Sequence, residues 1–225
     1  MASRLPVIKT YKLFIGGAFP RTESGRAYAV MSPDRRRVLA RACKASRKDL
    51  RDTVVAARKG FEAWSKRSAA NRGQILYRMA EMLEHRSAEM TAELVRSTGS
   101  SPAAAGREVK AAVDRLIWYA GWTDKFTHIF GTVNPVATSH FNFSVPEATG
   151  VVGVIAPDEP SLLGLISVAA PVLAGGNSVV LVASEKYPLP SITFAEILAT
   201  SDLPGGAINI LTGFRSELVP TMARH

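Results

Sequence analysis

Residues 150–185, GVVGVIAPDEPSLLGLISVAAPVLAGGNSVVLVASE, limit the possible folds of this chain more than any other stretch. The run 151–156 is apolar and mostly β-branched, which predicts a buried strand, and Pro157-Asp158-Glu159-Pro160 breaks it. An apolar helix is expected over 162–173, stopped by Gly175-Gly176-Asn177, and a second buried strand over 178–182. Strand, helix and strand, with both strands apolar on both faces, predict a βαβ unit of a parallel sheet. The uncharged run 161–184 is also long enough to cross a bilayer. Pro171 and the Gly-Gly-Asn break fall where a spanning helix would continue, however. The first apolar half is rich in Leu and Ala and the second is β-branched, which favours helix then strand, so no membrane segment is expected.

At 225 residues the chain can hold one large domain or two small ones, and 47% hydrophobic with 21% charged residues is the composition of a globular protein. The start, MASRLPVIKTYKL, lacks the apolar core of a secretory signal, and the single cysteine, Cys43, rules out an internal disulfide framework. Both features lead us to expect a cytoplasmic protein. The net charge of +9 comes from 28 basic and 19 acidic residues and is concentrated in the first half, with Arg35-Arg36-Arg37 its densest run. No aromatic-interleaved basic motif, helix-turn-helix or zinc spacing accompanies it. A solvated basic face is therefore expected rather than nucleic-acid binding, with an acidic partner surface as the second choice.

Along the rest of the chain, residues 1–10 are expected to be an irregular arm, and Gly16-Gly17 to turn a hairpin over 12–19. Ser32-Pro33-Asp34 reads as a turn before a short strand near 38–42. Ser46 can cap a helix over 48–65, with Leu50, Val54, Ala57, Phe61 and Trp64 on one face. Further helices are expected over 69–85, 87–96 and 103–126. The set Trp118, Tyr119, Trp122 and Phe126 reads as the core face of the last of these rather than a ligand box. Residues 128–149 read as a turn and alternating strands, with Phe141 and Phe143 on one face. A helix from about 188 or 189, a strand over 207–211 and a helix over 216–224 complete the pattern. The chain shows no G-x-G-x-x-G fingerprint, P-loop, H-E-x-x-H or G-x-S-x-G elbow, and its four histidines have no metal-ligand spacing. Asp158 and Glu159 are expected to cap the helix that follows them rather than to hold a cation.

Several of these segments together resemble the aldehyde dehydrogenase superfamily. Residues 150–185 match G-V-V-G-x-I-x-P-W-N-F-P, an apolar helix, and A-L-A-A-G-N-T-V-V-L-K-P-A-E. Residues 55–64 match "v.aA..Af..W", 202–213 match "glPpGvvNvvtG", and 12–19 match "lfInGefv". The resemblance implies an α/β fold, with a parallel sheet of βαβ units of the Rossmann-like kind, an N-terminal helical segment and a protruding oligomerisation hairpin. It divides the chain into 1–127, the 128–150 hairpin and 151–225, all belonging to the family's NAD-binding-type domain, with the catalytic domain expected to be absent.

The site residues depart from the family pattern. Pro157 keeps the family proline, but Asp158, Glu159, Pro160 and Ser161 stand where the family has tryptophan, asparagine, phenylalanine and proline. The resemblance implies that the asparagine amide binds the oxyanion of the thiohemiacetal. A carboxylate at Glu159 accepts hydrogen bonds only and would repel that charge. Val182 stands for the family lysine, which with the glutamate kept here as Glu185 holds the cofactor ribose. No catalytic residue is expected, and the cofactor-binding remnant reduces to Pro157 and Glu185. NAD(P) is suggested by resemblance alone, without tight binding. Cys43 matches no nucleophile motif, and no metal is expected. The pattern is most similar to the degenerate second module of family-16 aldehyde dehydrogenases. We therefore expect a pseudoenzyme subunit that assembles with itself or with a full-length, active aldehyde dehydrogenase. The alternative is that this is part of an NAD(P)-dependent enzyme oxidising aldehydes to acids, with catalytic residues beyond His225.

Overall fold

The computed structural model describes residues 7–225. The expected arm over 1–10 falls partly outside them, and its last residue already belongs to a strand. Strands β1 (Thr10–Tyr11), β2 (Ala27–Met31) and β3 (Val38–Cys43) form a small sheet in the order β1-β3-β2, with β2 antiparallel to β3. Four helices follow: α1 (Arg47–Ser65), α2 (Ala69–His85), α3 (Ser87–Thr98) and α4 (Pro102–Trp122). Ser46 begins α1 as a reciprocal capping box, its hydroxyl accepting from Asp49 N while the Asp49 carboxylate accepts from Ser46 N. Helix α4 ends four residues earlier than its periodicity predicts. A short helix α5 (Phe126–Phe130) then leads to strands β4 (Thr132–Val133) and β5 (Phe143–Ser144), an antiparallel pair that forms the expected hairpin.

The second half is the parallel unit. Strands β6 (Val151–Ile155), β7 (Ser178–Val182) and β8 (Ile208–Leu211) lie in that order, all parallel, with Val151 opposite Ser178 and Val179 opposite Ile208. Helices α6 (Ser161–Ala174), α7 (Leu189–Leu198) and α8 (Arg215–Ala223) follow the strands in turn. The period of two along β7 sends its side chains into two separate apolar layers. Val179 and Leu181 join the core built with α2, α4, α6 and α7. Val180 and Val182 join a second core with Leu50, Val54 and Ala57 of α1 and Leu218 of α8. This explains why all five β7 residues are buried.

Strand β6 departs from the expected double burial. Gly153 and Ile155 are exposed and no other strand pairs along its outer side among the described residues. Gly150 O accepts from Ser178 N and Ala156 N donates to Val182 O. The alternation therefore leaves the N–H and C=O of Val151, Gly153 and Ile155 pointing away from β7. The other side of the sheet is closed from the start of the chain: Phe14 and Ile210 exchange two backbone hydrogen bonds of 3.0 and 2.8 Å. The Gly16-Gly17 turn holds Phe14 there, both glycines having positive φ as a two-residue hairpin turn requires.

Trp64, at the end of α1, is fully buried and donates its indole N–H to Leu173 O at 3.0 Å, at the end of α6. Arg72 of α2 also reaches that end, donating to Ala174 O, so the last carbonyls of α6 are met by two donors, one of them charged. The aromatic set meets the core expectation only in Tyr119, which packs partly buried against the core, and Phe126 falls in α5. Trp118 is 60% exposed, none of Tyr119, Trp122 and Phe126 is fully buried, and the inward stripe is instead Val109, Ala112, Val113 and Leu116.

Candidate functional site at the strand ends

In open parallel sheets, ligands bind outside the carboxyl ends of the strands. Here those ends are the 156–159 turn after β6, residues 184–187 after β7, and Phe214-Arg215 after β8. Of these, Asp158, Glu185, Lys186, Tyr187, Phe214 and Arg215, with Pro188, line a cavity of about 710 Å³ together with Tyr28 to Pro33 and Arg35 of the N-terminal sheet and its turn. A larger groove of about 1150 Å³ runs between α3 and α4, far more apolar and lined by none of these strand-end residues.

Arg215 holds the strand ends together. Its guanidinium bonds both oxygens of Asp158 at 2.8 and 3.2 Å and donates to Ala156 O at 2.7 Å. Asp158 also accepts from the Ser184 hydroxyl at 2.8 Å and from Lys186 N at 3.4 Å. Partial burial opposes ionisation of Asp158. The Ser184 bond, the Lys186 N–H and the Arg215 charge outweigh it and hold the carboxyl below its ordinary range. Glu159 lies outside this cluster, exposed and paired with Lys186 Nζ at 2.7 Å, which lowers the carboxyl and raises the amine.

The expected capping role of Asp158 and Glu159 is therefore not found. The second and third N–H groups of α6, those of Leu162 and Leu163, donate to Glu108 of α4 at 2.8 and 3.2 Å. A reach of 54 residues in sequence carries no local signature. Of the residues expected to hold a cofactor, Glu185 does line the cavity, and its carboxylate accepts from Arg215 N, the first N–H of α8, at 3.0 Å. Pro157 does not line it. It packs on α6, where a Cβ added to Gly164 would fall 2.4 Å from the Pro157 ring. Val182 is fully buried in the second core and cannot reach the cavity. Arg215, Ser184, Lys186 and Glu108 were not singled out by sequence reasoning, and only the position of Arg215 between the strand predicted over 207–211 and the helix predicted over 216–224 hinted at a strand-end role.

The chemistry at the strand ends is ionic and paired, Arg215 on Asp158 and Lys186 on Glu159, while Arg35 across the cavity is in no ion pair among the described residues. Cys43 is 2% exposed within the second core, closed to any substrate. Among the described residues no three His, Cys, Asp or Glu side chains converge as a metal site needs, and no helix is long and apolar enough to cross a membrane.

Comparison with known proteins places this arrangement. The aldehyde dehydrogenase family pattern matches residues 19–225. Aldehyde dehydrogenase of Alternaria alternata is 32% identical over 95% of this chain and 43% of its own length. Cytosolic 10-formyltetrahydrofolate dehydrogenase of Mus musculus is 31% identical over 99% of this chain and 25% of its own. The structure of an NAD+ complex of aldehyde dehydrogenase from Bacillus cereus superposes with a TM-score of 0.91 at 29% identity, covering 96% of this chain and 44% of that one. The chain belongs to the aldehyde dehydrogenase family. It spans less than half the length of these relatives.

Proposed function

We propose that the chain is a non-catalytic, aldehyde-dehydrogenase-like subunit, of the kind seen in the degenerate module of family-16 chains. The observation that carries this reading is Glu159. At the position where the resemblance places an oxyanion-binding amide, the chain has a carboxylate ion-paired to Lys186. An oxyanion there would meet a negative charge in place of a donor, where loss of the donor alone costs about 10²–10³ in rate. The burial of Val182 supports the same reading, since half of the ribose clamp is missing and the remaining half, Glu185, is engaged by Arg215 N.

Assembly with itself or with an active aldehyde dehydrogenase is supported by the hairpin region. Phe130, Val133, Phe141 and Phe143 are 57–74% exposed, and a two-stranded hairpin does not sustain such apolar surface alone in water. The setting proposed is cytoplasmic, which suits one buried free thiol. The test is NAD(P)+-linked oxidation of a panel of aliphatic and aromatic aldehydes by the purified chain, with native mass spectrometry on the same preparation. No turnover, with the chain in a complex, is the expected result; a rate near that of family enzymes overturns it.

A second reading is favoured by the coverage. The matched relatives extend well beyond the region shared with this chain, so the same module can serve as the cofactor-binding-type half of a longer NAD(P)-dependent aldehyde dehydrogenase. A denatured mass corresponding to more than 225 residues, together with aldehyde oxidation, would move that reading to first place.

A further inference from the structure

A dinucleotide at the end of a parallel sheet is held by two kinds of group: free N–H groups at helix starts, and strand-end side chains facing the crevice. In this chain those groups are engaged from within. The α6 start is sealed by Glu108, which accepts from Leu162 N and Leu163 N. The α8 start is met by Glu185, which accepts from Arg215 N. The Arg215 guanidinium is bound by both oxygens of Asp158 and by Ala156 O. Lys186 is taken by Glu159. Two buried polar atoms of the cavity lining are without partners, Arg215 Nε and the Tyr28 hydroxyl, and across the cavity the Arg35 guanidinium is in no ion pair among the described residues.

Resting on the non-catalytic reading above, we propose that Arg215, locked onto Asp158, is an internal occupant of the crevice that closes the strand ends to adenine dinucleotides. The bonds of this one residue join the ends of all three strands. Its guanidinium reaches the end of β6 through Ala156 and Asp158. Its backbone N–H reaches Glu185 beyond β7, and it lies four residues past the end of β8, at the start of α8. The staple makes between neighbouring strand ends the contacts that a bound cofactor would otherwise supply. The valine standing at 182 for the ribose-binding lysine and the Arg215–Asp158 staple then act in the same direction, toward a self-bridged crevice instead of a ligand-bridged one.

The pair can be opened from either side in the full chain. Arg215→Gly removes the occupant, keeps the backbone N–H that Glu185 accepts, and frees Asp158 and Ala156 O as acceptors for ribose hydroxyls. Asp158→Ser removes the carboxylate and frees the guanidinium for a phosphate. Isothermal titration with NAD+ and with ADP-ribose is read on the parent and both variants, with circular dichroism to verify folding. The expected result is no measurable binding by the parent at millimolar ligand. At least one folded variant gains about tenfold or more over that limit, the scale of one charge-assisted hydrogen bond. Folded variants that bind no better than a non-binding parent overturn the internal-occupant proposal and leave the non-catalytic reading standing. Firm binding by the parent overturns the proposal and removes the cofactor argument from the non-catalytic reading as well. Should one variant fail to fold, the other decides.

Discussion

Helices α1 and α4 both carry tryptophans at core-like spacing, yet the two helices use them in opposite ways. Trp64 of α1 is wholly enclosed and bonded to the end of α6, while Trp118 of α4 is 60% exposed beside Trp122, ring centroids 6.1 Å apart. Both helices satisfy the same periodicity. The difference is what lies opposite. Trp64 faces α6 across the parallel unit, and α1 packs on the sheet and α8. Helix α4 buries its Val109-Val113-Leu116 stripe against α2, α3 and α6, with Tyr119 partly buried beside it and Trp118 left outward. Periodicity reports that a face is apolar, and only the tertiary arrangement decides whether a neighbour covers it.

Five measurements would break or sharpen that contrast. The largest effect is expected at Trp64. Its replacement by Ala should cost about 3–5 kcal/mol in urea unfolding, and a loss below 1 kcal/mol would mean that the α1–α6 contact is not the anchor described. Next comes Gly60→Ala, because a Cβ there would stand 2.2 Å from the Gly206 carbonyl carbon, backbone that cannot swing aside. Overpacking of this kind should cost about 1–3 kcal/mol, and a stabilised variant would refute the close approach of α1 to the turn before β8. On α4, the inward Glu108 should matter where the outward tryptophan does not. Glu108→Ala removes the acceptor for the α6 start and should cost about 0.5–2 kcal/mol, as loss of other helix caps does.

A smaller effect belongs to acid. The Asp158 carboxyl is held low in the folded chain, so its contribution is complete above the unfolded value near 3.9 and disappears as the pH falls through the folded value. Asp158→Asn should therefore flatten the acid limb of a stability–pH curve, and only modestly, since the side chain is more than a third exposed. An unchanged acid limb would show that the Arg215 pair contributes nothing to folding. The smallest effect is expected for Trp118→Ser, within about 0.5 kcal/mol of the parent. Its influence should appear instead in the association state by native mass spectrometry, and a large loss of monomer stability would return Trp118 to the core.

The order of elements in the parallel unit was legible because β-branched runs, an uncharged helix and Gly-Gly-Asn punctuation agree with one another. Burial within it was less so. Strand β6 reads like β7 residue by residue, and nothing in Val-Val-Gly-Val-Ile says that one of its sides has no partner. Strand β2, AYAVM, was missed because its pairing with β3 is a tertiary fact with a weak local pattern. At the site, the replacements at Glu159 and Val182 could be read directly. Their consequences could not, because Arg215 lies 57 residues from Asp158 and Glu108 lies 54 from Leu162. Long-range ion pairs leave no periodic trace, so the sequence displayed the lost groups and concealed what had replaced them.

The closure of β8 by Phe14 has a consequence for how the molecule comes into being. The segment that turns at Gly16-Gly17 has its partner 193 residues later, where Gly16 N donates to Asn209 Oδ1 at 2.9 Å. Contacts of such separation carry a high loop-closure cost and form late. During synthesis the Gly16-Gly17 hairpin leaves the ribosome well before β8 and is fixed in place only once that strand exists. Order of birth and order of assembly run in opposite directions, and the chain closes on itself only when β8 has emerged.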